Sequence, residues 1–314
     1  PDSVGSRVGP FHFIEAVNSS DQDVTNWAVF ANMEYIASDS IAFEGGIRFT
    51  ESDIDYSACT EDSGAGDLSE IFGFIQSIVG APHPAPLAGA CITLLEDFST
   101  GQVEDEQNQN NTSWRLGVNW TPMSDTLVYA NVSQGYKSGS FPTFSASSFA
   151  QLKPVEQEEL RAYELGFKSS MGSSRVQLNG AIFYYDYTDK QFGGRLLDPI
   201  FGSLSNLVNI PESEVRGAEL QLLVAPVAGL LVNAAITYIE TELGEFSDFN
   251  QFGERQAFDG NDFPFSPDIQ ASVDINYEWS VSDKLSGFSG LSASYHSETK
   301  GGLTNDARLL IDDY

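Results

Sequence analysis

Apolar and polar residues alternate on both sides of a short polar segment within residues 159–188. A period of two over runs of this length predicts two β-strands, each with one apolar and one polar face. The small polar segment 171–174 between them predicts a tight hairpin turn. The second strand is longer than the about five or six residues of a typical globular strand. Its length, with tyrosines near one end, suits a strand tilted across a bilayer with aromatic side chains at the interface.

The same alternation recurs along most of the chain and predicts about ten long strands. Connections of roughly four or five residues alternate with connections of roughly fifteen to sixty residues. The long ones are residues 53–111, 138–157, 191–205 and 243–264. This predicts an all-β fold, a fragment of an antiparallel transmembrane β-barrel with short periplasmic turns and long extracellular loops. A soluble sandwich lacks this asymmetry of its ends, and a propeller requires a repeated motif that the sequence does not contain.

The alternation also assigns side chains to the two faces of the sheet. A basic side chain that faces mid-bilayer lipid costs about 2 to 4 kcal/mol, so charged positions are expected on the lumen side. The expected lumen-facing charges are Arg48, Glu164, Glu219, Asp274 and Glu278. The aromatic residues expected to face lipid or the interface are Trp27, Trp114, Trp120, Tyr238, Tyr277 and Trp279.

Composition narrows the class of protein further. The 314 residues are 41% hydrophobic, and no apolar run is long enough for a membrane-spanning helix, which excludes a helical membrane protein. The mean hydropathy of −0.18 still permits a barrel, whose strands are apolar only at every second position. A formal charge of −30 argues against a nucleic-acid partner. The acidity indicates solubility or a saline habitat, or else a surface that attracts cations.

Both cysteines, Cys59 and Cys91, lie in the long predicted loop 53–111. Two free thiols are the alternative, but the segment between them is polar and rich in proline and offers no core in which to bury a thiol. A disulfide is therefore favoured, and it implies an oxidising compartment. In the chain-entropy model, such a bridge stabilises the loop by about 3 to 4 kcal/mol.

The first residues indicate a piece of a longer protein. Pro1 stands where a start methionine is expected, and residues 1–10 have neither the basic start nor the apolar stretch of a signal peptide. Residues 1–23 are predicted to be a leading loop or partial strand, with a polar loop at 18–23, and residues 24–314 to be the barrel portion.

Five segments resemble strands and a turn of TonB-dependent outer-membrane receptors. Residues 128–141 read VYANVSQGYKSGSF and are similar to the YASYSRGFKSGGF strand of that family. The others are residues 162–168, similar to YELGFKS, 181–189, similar to FYYDYxD, 215–220, similar to RGVELE, and 225–229, similar to the periplasmic turn PxxGL. They occur in the family's order. The resemblance implies the C-terminal part of a receptor barrel, without the N-terminal plug, the TonB box or the last strands.

The resemblance also implies a function. Such receptors lie in the outer membrane of Gram-negative bacteria, contact its lipid and take up scarce, large ligands with energy that the TonB–ExbB–ExbD complex supplies through the plug. A ferric siderophore is the first expectation, with a glycan or cobalamin as alternatives. A passive porin or a surface adhesin on a similar barrel is the alternative of a different class.

Chemistry other than binding has no support in the sequence. His12, His83 and His296 are scattered and have no metal-ligand spacing to a cysteine or to one another. Nucleophile-elbow, Walker and dinucleotide motifs are absent. The sequence therefore predicts neither an enzyme nor a cofactor or metal site.

Aromatic residues and one arginine on the predicted outward loops are the candidates for ligand binding. They are Tyr136, Phe141, Phe144, Phe192, Arg195, Phe201, Phe249 and Phe252. Exposed aromatic clusters usually mark a binding surface, although these residues could instead pack the loops against one another. The acidity of the loops argues against a strongly anionic ligand, unless the plug supplies basic residues.

Overall fold

A single ten-stranded antiparallel sheet is the main element of the computed structural model, which describes residues 6–8, 11–13, 15–172, 175–250, 253–304 and 306–314. The strands are β1 (Ala16–Ser38), β2 (Ile41–Asp62), β3 (Val103–Met123), β4 (Thr126–Lys137), β5 (Glu158–Met171), β6 (Val176–Asp198), β7 (Gly202–Val224), β8 (Leu230–Leu243), β9 (Ile269–Ser282) and β10 (Leu285–His296). Each strand pairs with its neighbours in sequence, and β1 and β10 lie at the edges. The predicted antiparallel all-β fold is confirmed.

Smaller elements occupy the connections. They are helix α1 (Asp67–Ile78), 3-10 turns at Phe149–Leu152 and Ala307–Leu309, and the short paired strands Ser6–Val8 with Phe11–Phe13, Ser247–Phe249 with Arg255–Ala257, and Thr299–Lys300 with Leu310–Ile311. In the part of the chain that the structure describes, no helix has the length and apolar character needed to cross a membrane.

The connections at the two ends of the sheet differ in length. Tight turns join β1 to β2, β3 to β4, β5 to β6, β7 to β8 and β9 to β10. The β2–β3, β4–β5 and β8–β9 connections at the opposite end are long, as predicted. The predicted loop 191–205 is wrong, however, because β6 continues to Asp198 and β7 begins at Gly202. The long-loop end therefore carries three long connections and one tall hairpin.

Two further segments predicted as loops lie partly or wholly in strands. Strand β2 continues to Asp62 and β3 begins at Val103, so the predicted loop 53–111 is reduced to residues 63–102. The polar segment 18–23 lies inside β1 and pairs with β2. Both faces of the corresponding ends of β1 and β3 are polar or mixed, so the period of two fades there while the backbone ladder continues. In β2 the alternation persists, and Ile54, Tyr56 and Ala58 are buried on one face.

The register separates an apolar and a polar face across all ten strands. Directly paired residues share a face, and Leu116 pairs with Val132, which in turn pairs with Tyr163. On the other face, Glu164 pairs with Asn131 and Phe183. The six predicted outward aromatics fall on the first face and the five predicted inward charges on the second. The predicted division of side chains between the two faces is therefore confirmed.

Buried side chains concentrate at the long-loop end. Three apolar clusters form there, where the connections fold against the tall ends of the strands. They contain most of the residues whose side chains are almost fully enclosed, among them Phe72, Ile92, Leu152, Ile210 and Phe258. The loops thus have a hydrophobic core of their own, and this core fixes their outer surface, on which a binding site can form.

Candidate ligand-binding loops

A disulfide between Cys59 and Cys91 ties the β2–β3 connection to the end of strand β2. The sulfur atoms are 2.05 Å apart and the Cα atoms 5.6 Å apart, and this is the pairing that the sequence predicts. Next to the bridge, the N–H of Ile92 donates to the carbonyl of Thr60 at 2.8 Å. The returning segment is therefore held against β2 by both a covalent bond and a backbone hydrogen bond.

Beside the disulfide, the carboxylate of Asp62 organises the start of the same connection. Five backbone N–H groups donate to it at 2.8 to 3.2 Å, those of Gly64, Gly66, Leu68, Ser69 and Gly89. Burial raises the pKa of this carboxyl, but the hydrogen bonds outweigh burial and hold the pKa below its usual range. Gly64 and Gly66 have φ of 94° and 87°, which glycine adopts without steric cost.

Helix α1 begins directly after this turn and packs onto neighbouring loops. Its buried cluster comprises Leu68, Ile71 and Phe72 with Phe13, Ile92 and Ile200. The ring of Phe201 lies against that cluster, edge-on to Phe13 with the ring centroids 5.8 Å apart. Phe201, a predicted ligand-binding residue, thus packs the tip of the β6–β7 hairpin onto the β2–β3 connection.

The β4–β5 connection is fastened on one side by three side-chain amides of β3. These amides alternate along the strand and share its polar face. Gln107 Nε2 donates to Val155 O (3.0 Å), Gln109 Oε1 accepts from Gly139 N (2.9 Å), and Asn111 Nδ2 donates to Gln157 Oε1 (2.8 Å). The connection therefore lies over the polar face of the sheet, which is the expected lumen side.

Two amides of the tall hairpin hold the other side of the same connection. Gln191 Nε2 donates to the carbonyls of Ser138 and Glu156, at 2.8 and 3.0 Å. Asn209, which pairs with Gln191 across the hairpin, accepts from the N–H of Glu156 at 2.7 Å and donates to its carbonyl at 3.0 Å. We call these five amides, Gln107, Gln109, Asn111, Gln191 and Asn209, the amide clamp.

Phe141 and Phe144 of the clamped connection pack into its core. Phe141 is only 4% exposed and stacks on Tyr56 with ring centroids 4.3 Å apart. The Tyr56 hydroxyl donates to the carbonyl of Pro142 at 2.8 Å, and burial raises the pKa of Tyr56 to about 12. Phe144 packs against the same cluster. In this conformation both predicted residues fix the connection to strand β2.

Phe192 packs in a separate cluster below the β8–β9 connection. Its ring lies 6.1 Å from that of Phe263, and the cluster also holds Ile210, Leu243 and Phe258. Nearby, the ammonium of Lys190 lies 3.8 Å from the ring centroid of Tyr187, and burial lowers the pKa of Lys190. Phe192 therefore contributes to loop packing rather than to an open surface.

Arg195 and Phe249 are the two predicted residues that line one open cavity. We call it the Arg195 cleft; its volume is about 450 Å³, and it lies between the tall hairpin, residues 248–250 and residues 301–304 and 308–309. Its other walls include Ser205, Thr304 and Arg308, which the sequence analysis did not single out. The Asp248 carboxylate accepts from the backbone N–H of Arg195 at 2.8 Å and fixes the hairpins against each other.

The remaining two predicted residues lie apart from this cleft or outside the described residues. The hydroxyl of Tyr136, at the end of β4, accepts a hydrogen bond from Gln134 Nε2. Phe252 lies outside the residues that the structure describes. Ligand binding by the eight residues stays a prediction. Four of them pack the loops, and two line the Arg195 cleft.

A second cavity, of about 550 Å³, is strongly acidic. It lies where β1, β2 and β3 extend beyond the apolar band, and its acidic lining is Asp21, Asp23, Asp55, Glu104, Asp105 and Glu106. Asp55 pairs directly with Asp23 on one side and Glu106 on the other, an arrangement that is unfavourable for like charges. Among the described residues, no group of three or more His, Cys, Asp or Glu side chains could hold a metal ion.

The residues that hold the loops were not predicted from the sequence, although four of them, Asp62 and the three amides of β3, leave a signal. Asp62 precedes two glycines and an apolar helical run, the order expected of a side chain that caps a helix. The amides of β3 recur at every second position, which predicts one polar strand face. Which loop they bind is a long-range contact that no local pattern contains.

Comparison with known proteins identifies the family. Solved structures with a similar fold include the ferric yersiniabactin uptake receptor FyuA from Yersinia pestis, with a TM-score of 0.69 at 17% identity, covering 95% of this chain and 38% of FyuA. The siderophore receptor PiuA from Acinetobacter baumannii has a TM-score of 0.65 at 15% identity, covering 94% of this chain and 36% of PiuA. The ferric-catecholate import receptor Fiu from K12 E. coli has a TM-score of 0.62 at 17% identity, covering 94% of this chain and 37% of Fiu. The chain therefore spans well under half the length of these receptors.

No curated protein sequence matches the chain. A family model described as TonB dependent receptor-like, beta-barrel, matches residues 1–313. Members of that family are outer-membrane transport receptors rather than enzymes; they bind small ligands such as siderophores and interact with TonB. Because the match extends over nearly all of the 314 residues, the chain belongs to the TonB-dependent receptor β-barrel family.

Proposed function

We propose that the full-length protein takes up a ferric siderophore across the outer membrane of a Gram-negative bacterium, driven by the TonB–ExbB–ExbD complex. The observation that carries the proposal is the family match over residues 1–313. It is supported by the fold that the chain shares with FyuA, PiuA and Fiu, whose ligands are siderophores or ferric catecholates. Contact with TonB would be made by a plug domain outside this chain, as the resemblance implies.

The geometry of the loops favours a receptor over a passive porin. A porin needs a continuous water-filled path through its barrel. Here the β4–β5 connection lies over the polar face of the sheet and is bonded to β3 on one side and to β6 and β7 on the other. A loop fastened in this way narrows the expected lumen at its outer end. Transport through such a barrel would need a step that moves parts of it, which agrees with energised uptake.

The test is uptake by the full-length receptor in a host that lacks its own siderophore receptors. Cells grown under iron limitation would be given radioactive iron bound to a catecholate, a hydroxamate or a carboxylate siderophore, in strains with and without TonB. We expect accumulation of at least one complex only where both the receptor and TonB are present. Uptake of cobalamin or a glycan instead of iron, or flux that persists without TonB, would contradict the proposal.

A further inference from the structure

We propose that the Arg195 cleft binds an aromatic oxyanion of the transported ligand, either an aryl carboxylate or a deprotonated hydroxyaryl group. This inference rests on the proposed function, because it assigns one recognition site to the same ligand. Three observations on the cleft carry it, namely the guanidinium of Arg195, the hydroxyl of Thr304 and the ring of Phe249.

Arg195 supplies a positive charge that the surrounding carboxylates leave unpaired. Arg308, the other cationic side chain that lines the cleft, is paired with Asp306. Within the described residues, no carboxylate oxygen forms an ion pair with the half-buried guanidinium of Arg195. Its planar set of five N–H donors matches a carboxylate or a pair of adjacent oxygen atoms.

Thr304 adds a buried hydroxyl that lacks a partner. Its residue is 7% exposed, and its Oγ1 makes no hydrogen bond within the described structure. A buried polar atom without a partner costs about 1 to 3 kcal/mol, so such atoms need an explanation. Because Thr304 lines the cleft, a bound oxygen atom could satisfy this hydroxyl.

Phe249 and Gly193 give the cleft the shape for a flat group. The ring of Phe249 lines one wall and offers an apolar surface on which an aromatic ring can stack. Gly193 lines the cavity as well, and because nothing lies within 4 Å of the position of a Cβ atom there, a ligand can approach the backbone closely. The walls thus combine an aromatic surface with a cation and a hydroxyl donor, which fits an aryl ring that carries anionic oxygen. The carboxylate of Asp248 also lines the cavity, and it accepts a hydrogen bond from the backbone N–H of Arg195.

The acidity of the whole chain does not oppose this assignment. A net charge of −30 slows the approach of a strongly anionic ligand. In a ferric complex, however, the metal offsets part of the charge on the ligand oxygens, and an oxygen at the cleft still meets the local charge of Arg195.

The experiment compares two arginine variants of the purified full-length receptor. Arg195→Gln removes the charge inside the cleft. Arg255→Gln removes the same charge from an exposed position directly opposite Phe249 on the hairpin, outside the cleft, and is the matched control. Binding would be measured by calorimetry for ferric 2,3-dihydroxybenzoate, a neutral ferric trihydroxamate and iron-free salicylate. We expect Arg195→Gln to weaken both aryl probes about ten- to hundredfold, and Arg255→Gln to change neither by more than about twofold.

The possible outcomes separate this inference from the proposed function. Equal losses of affinity in both variants would mean that the net charge of the protein causes the effect, and would overturn ligand binding at the Arg195 cleft. If Arg195→Gln binds the aryl probes as before and TonB-dependent iron uptake is intact, ligand binding at the cleft is overturned and the proposed function stands. The receptor could instead bind salicylate, lose that binding in Arg195→Gln, and neither bind nor transport any ferric complex. This result would support ligand binding at the Arg195 cleft and overturn the uptake proposal.

A second variant tests the hydroxyl independently. Thr304→Val keeps the shape of the side chain and removes Oγ1. If that atom hydrogen-bonds only to a ligand, the thermal stability of the ligand-free variant should be equal or higher. Its affinity for salicylate and ferric 2,3-dihydroxybenzoate should fall about threefold to tenfold. A loss of stability with unchanged affinity would show that the hydroxyl serves the fold, and would remove Thr304 from the site.

Discussion

At the scale of single residues, glycines paired with aromatic rings recur across the sheet. Tyr129 lies over Gly166, Phe167 over Gly180, Phe183 over Gly217 and Trp279 over Gly287, and each is a directly opposed cross-strand pair. Glycine in a strand interior weakens the strand, because it has no side chain to pack. Here the ring of the opposite residue covers the gap, so these glycines are sites of close packing rather than of flexibility.

A methyl group at Gly166 should therefore disturb the sheet. The Cβ of alanine would lie 2.5 Å from the ring of Tyr129, which must then leave its place. We expect Gly166→Ala to lower the free energy of unfolding by about 1 to 3 kcal/mol, as overpacking usually does. Urea unfolding in detergent, followed by tryptophan fluorescence, measures this change.

Gly135→Ala is the matched control for that substitution. Gly135 lies in neighbouring strand β4, and nothing lies within 4 Å of an added Cβ there. Since alanine loses less entropy than glycine on folding, Gly135→Ala should be neutral or stabilising by up to about 1 kcal/mol. An equal loss in both variants would mean that the ring of Tyr129 is not what Gly166 accommodates.

Asp62 should make the β2–β3 connection sensitive to acid. Its pKa in the folded protein lies below the unfolded value of about 3.9. The stabilisation is therefore complete above the unfolded pKa and is lost as the pH falls through the folded pKa. The protection factors of the amide hydrogens in residues 63–90, which correct for slower intrinsic exchange at low pH, should fall over that pH window.

Substitution of the carboxyl separates this effect from general acid unfolding. Asp62→Asn removes the charge of the carboxylate that accepts five N–H hydrogen bonds. The free energy of local opening of the connection at neutral pH should fall by about 1.5 to 3 kcal/mol. Glu70→Gln changes an exposed carboxyl in the first turn of the same helix and should leave exchange unaltered. Equal exchange rates in both variants would refute the role of Asp62.

At the scale of elements, the predictable part of the fold is the part that meets lipid. Trp114, Leu116 and Val118 alternate with polar residues because one side of β3 must be apolar. Beyond the apolar band the same strand reads EDEQNQN, and its continuation is set by pairing with β2, for example of Asp53 with Asn108. Sequence periodicity does not contain that information, so the loops were predicted too long and the tall hairpin was missed.

The disulfide can be tested chemically on the intact connection. Alkylation of the unreduced, denatured protein should leave Cys59 and Cys91 unmodified in the mass spectrum, since each sulfur is bonded to the other. After reduction, both should be labelled, and the connection should lose about 3 to 4 kcal/mol of stability in the chain-entropy model. Labelling of both positions before reduction would contradict the bridge.

The amide clamp should control the mobility of the β4–β5 connection. Gln191→Leu removes the donor to Ser138 O and Glu156 O, of which Glu156 O keeps a second donor in Asn209 Nδ2. We expect faster amide exchange in residues 138–157, corresponding to about 1 to 3 kcal/mol. Gln177→Leu, on the same strand near the short-turn end, is the control and should leave that exchange unchanged. Equal protection in both variants would mean that other contacts hold the connection.

At the scale of the whole molecule, the sheet and the loops differ in where their apolar side chains lie. The sheet has a continuous apolar face, which packs nothing within the described residues and leaves side chains such as Met33 and Leu116 more than half exposed. A large exposed apolar surface is a liability in water and an advantage in lipid. The acidic cavity lies beyond the apolar band, consistent with charge confined to water. Membrane placement thus accounts for exposure that would be anomalous in a soluble protein.

This placement predicts opposite environments for adjacent residues of β5. Leu165 shares the apolar face with Ala130 and Ile182, whereas Glu164 lies on the polar face with Asn131. Spin labels at Leu165→Cys and Glu164→Cys, each in the full-length receptor reconstituted in bilayers with its native disulfide intact, should report the difference. The label at position 165 should collide with oxygen, which concentrates in lipid. The label at position 164 should be shielded from oxygen, because that face lies toward the lumen.

A second pair on another strand makes the result independent of local distortion. Val273 and Asp274 of β9 have the same relationship, since Val273 pairs with Ala234 and Ala293 on the apolar face while Asp274 pairs with Asn233 and Ser292 on the polar one. We expect Val273→Cys to behave as position 165 and Asp274→Cys as position 164. Oxygen accessibility that is reversed in both pairs would place the apolar face inside and overturn the orientation of the sheet, and with it the lumen side on which the amide clamp acts.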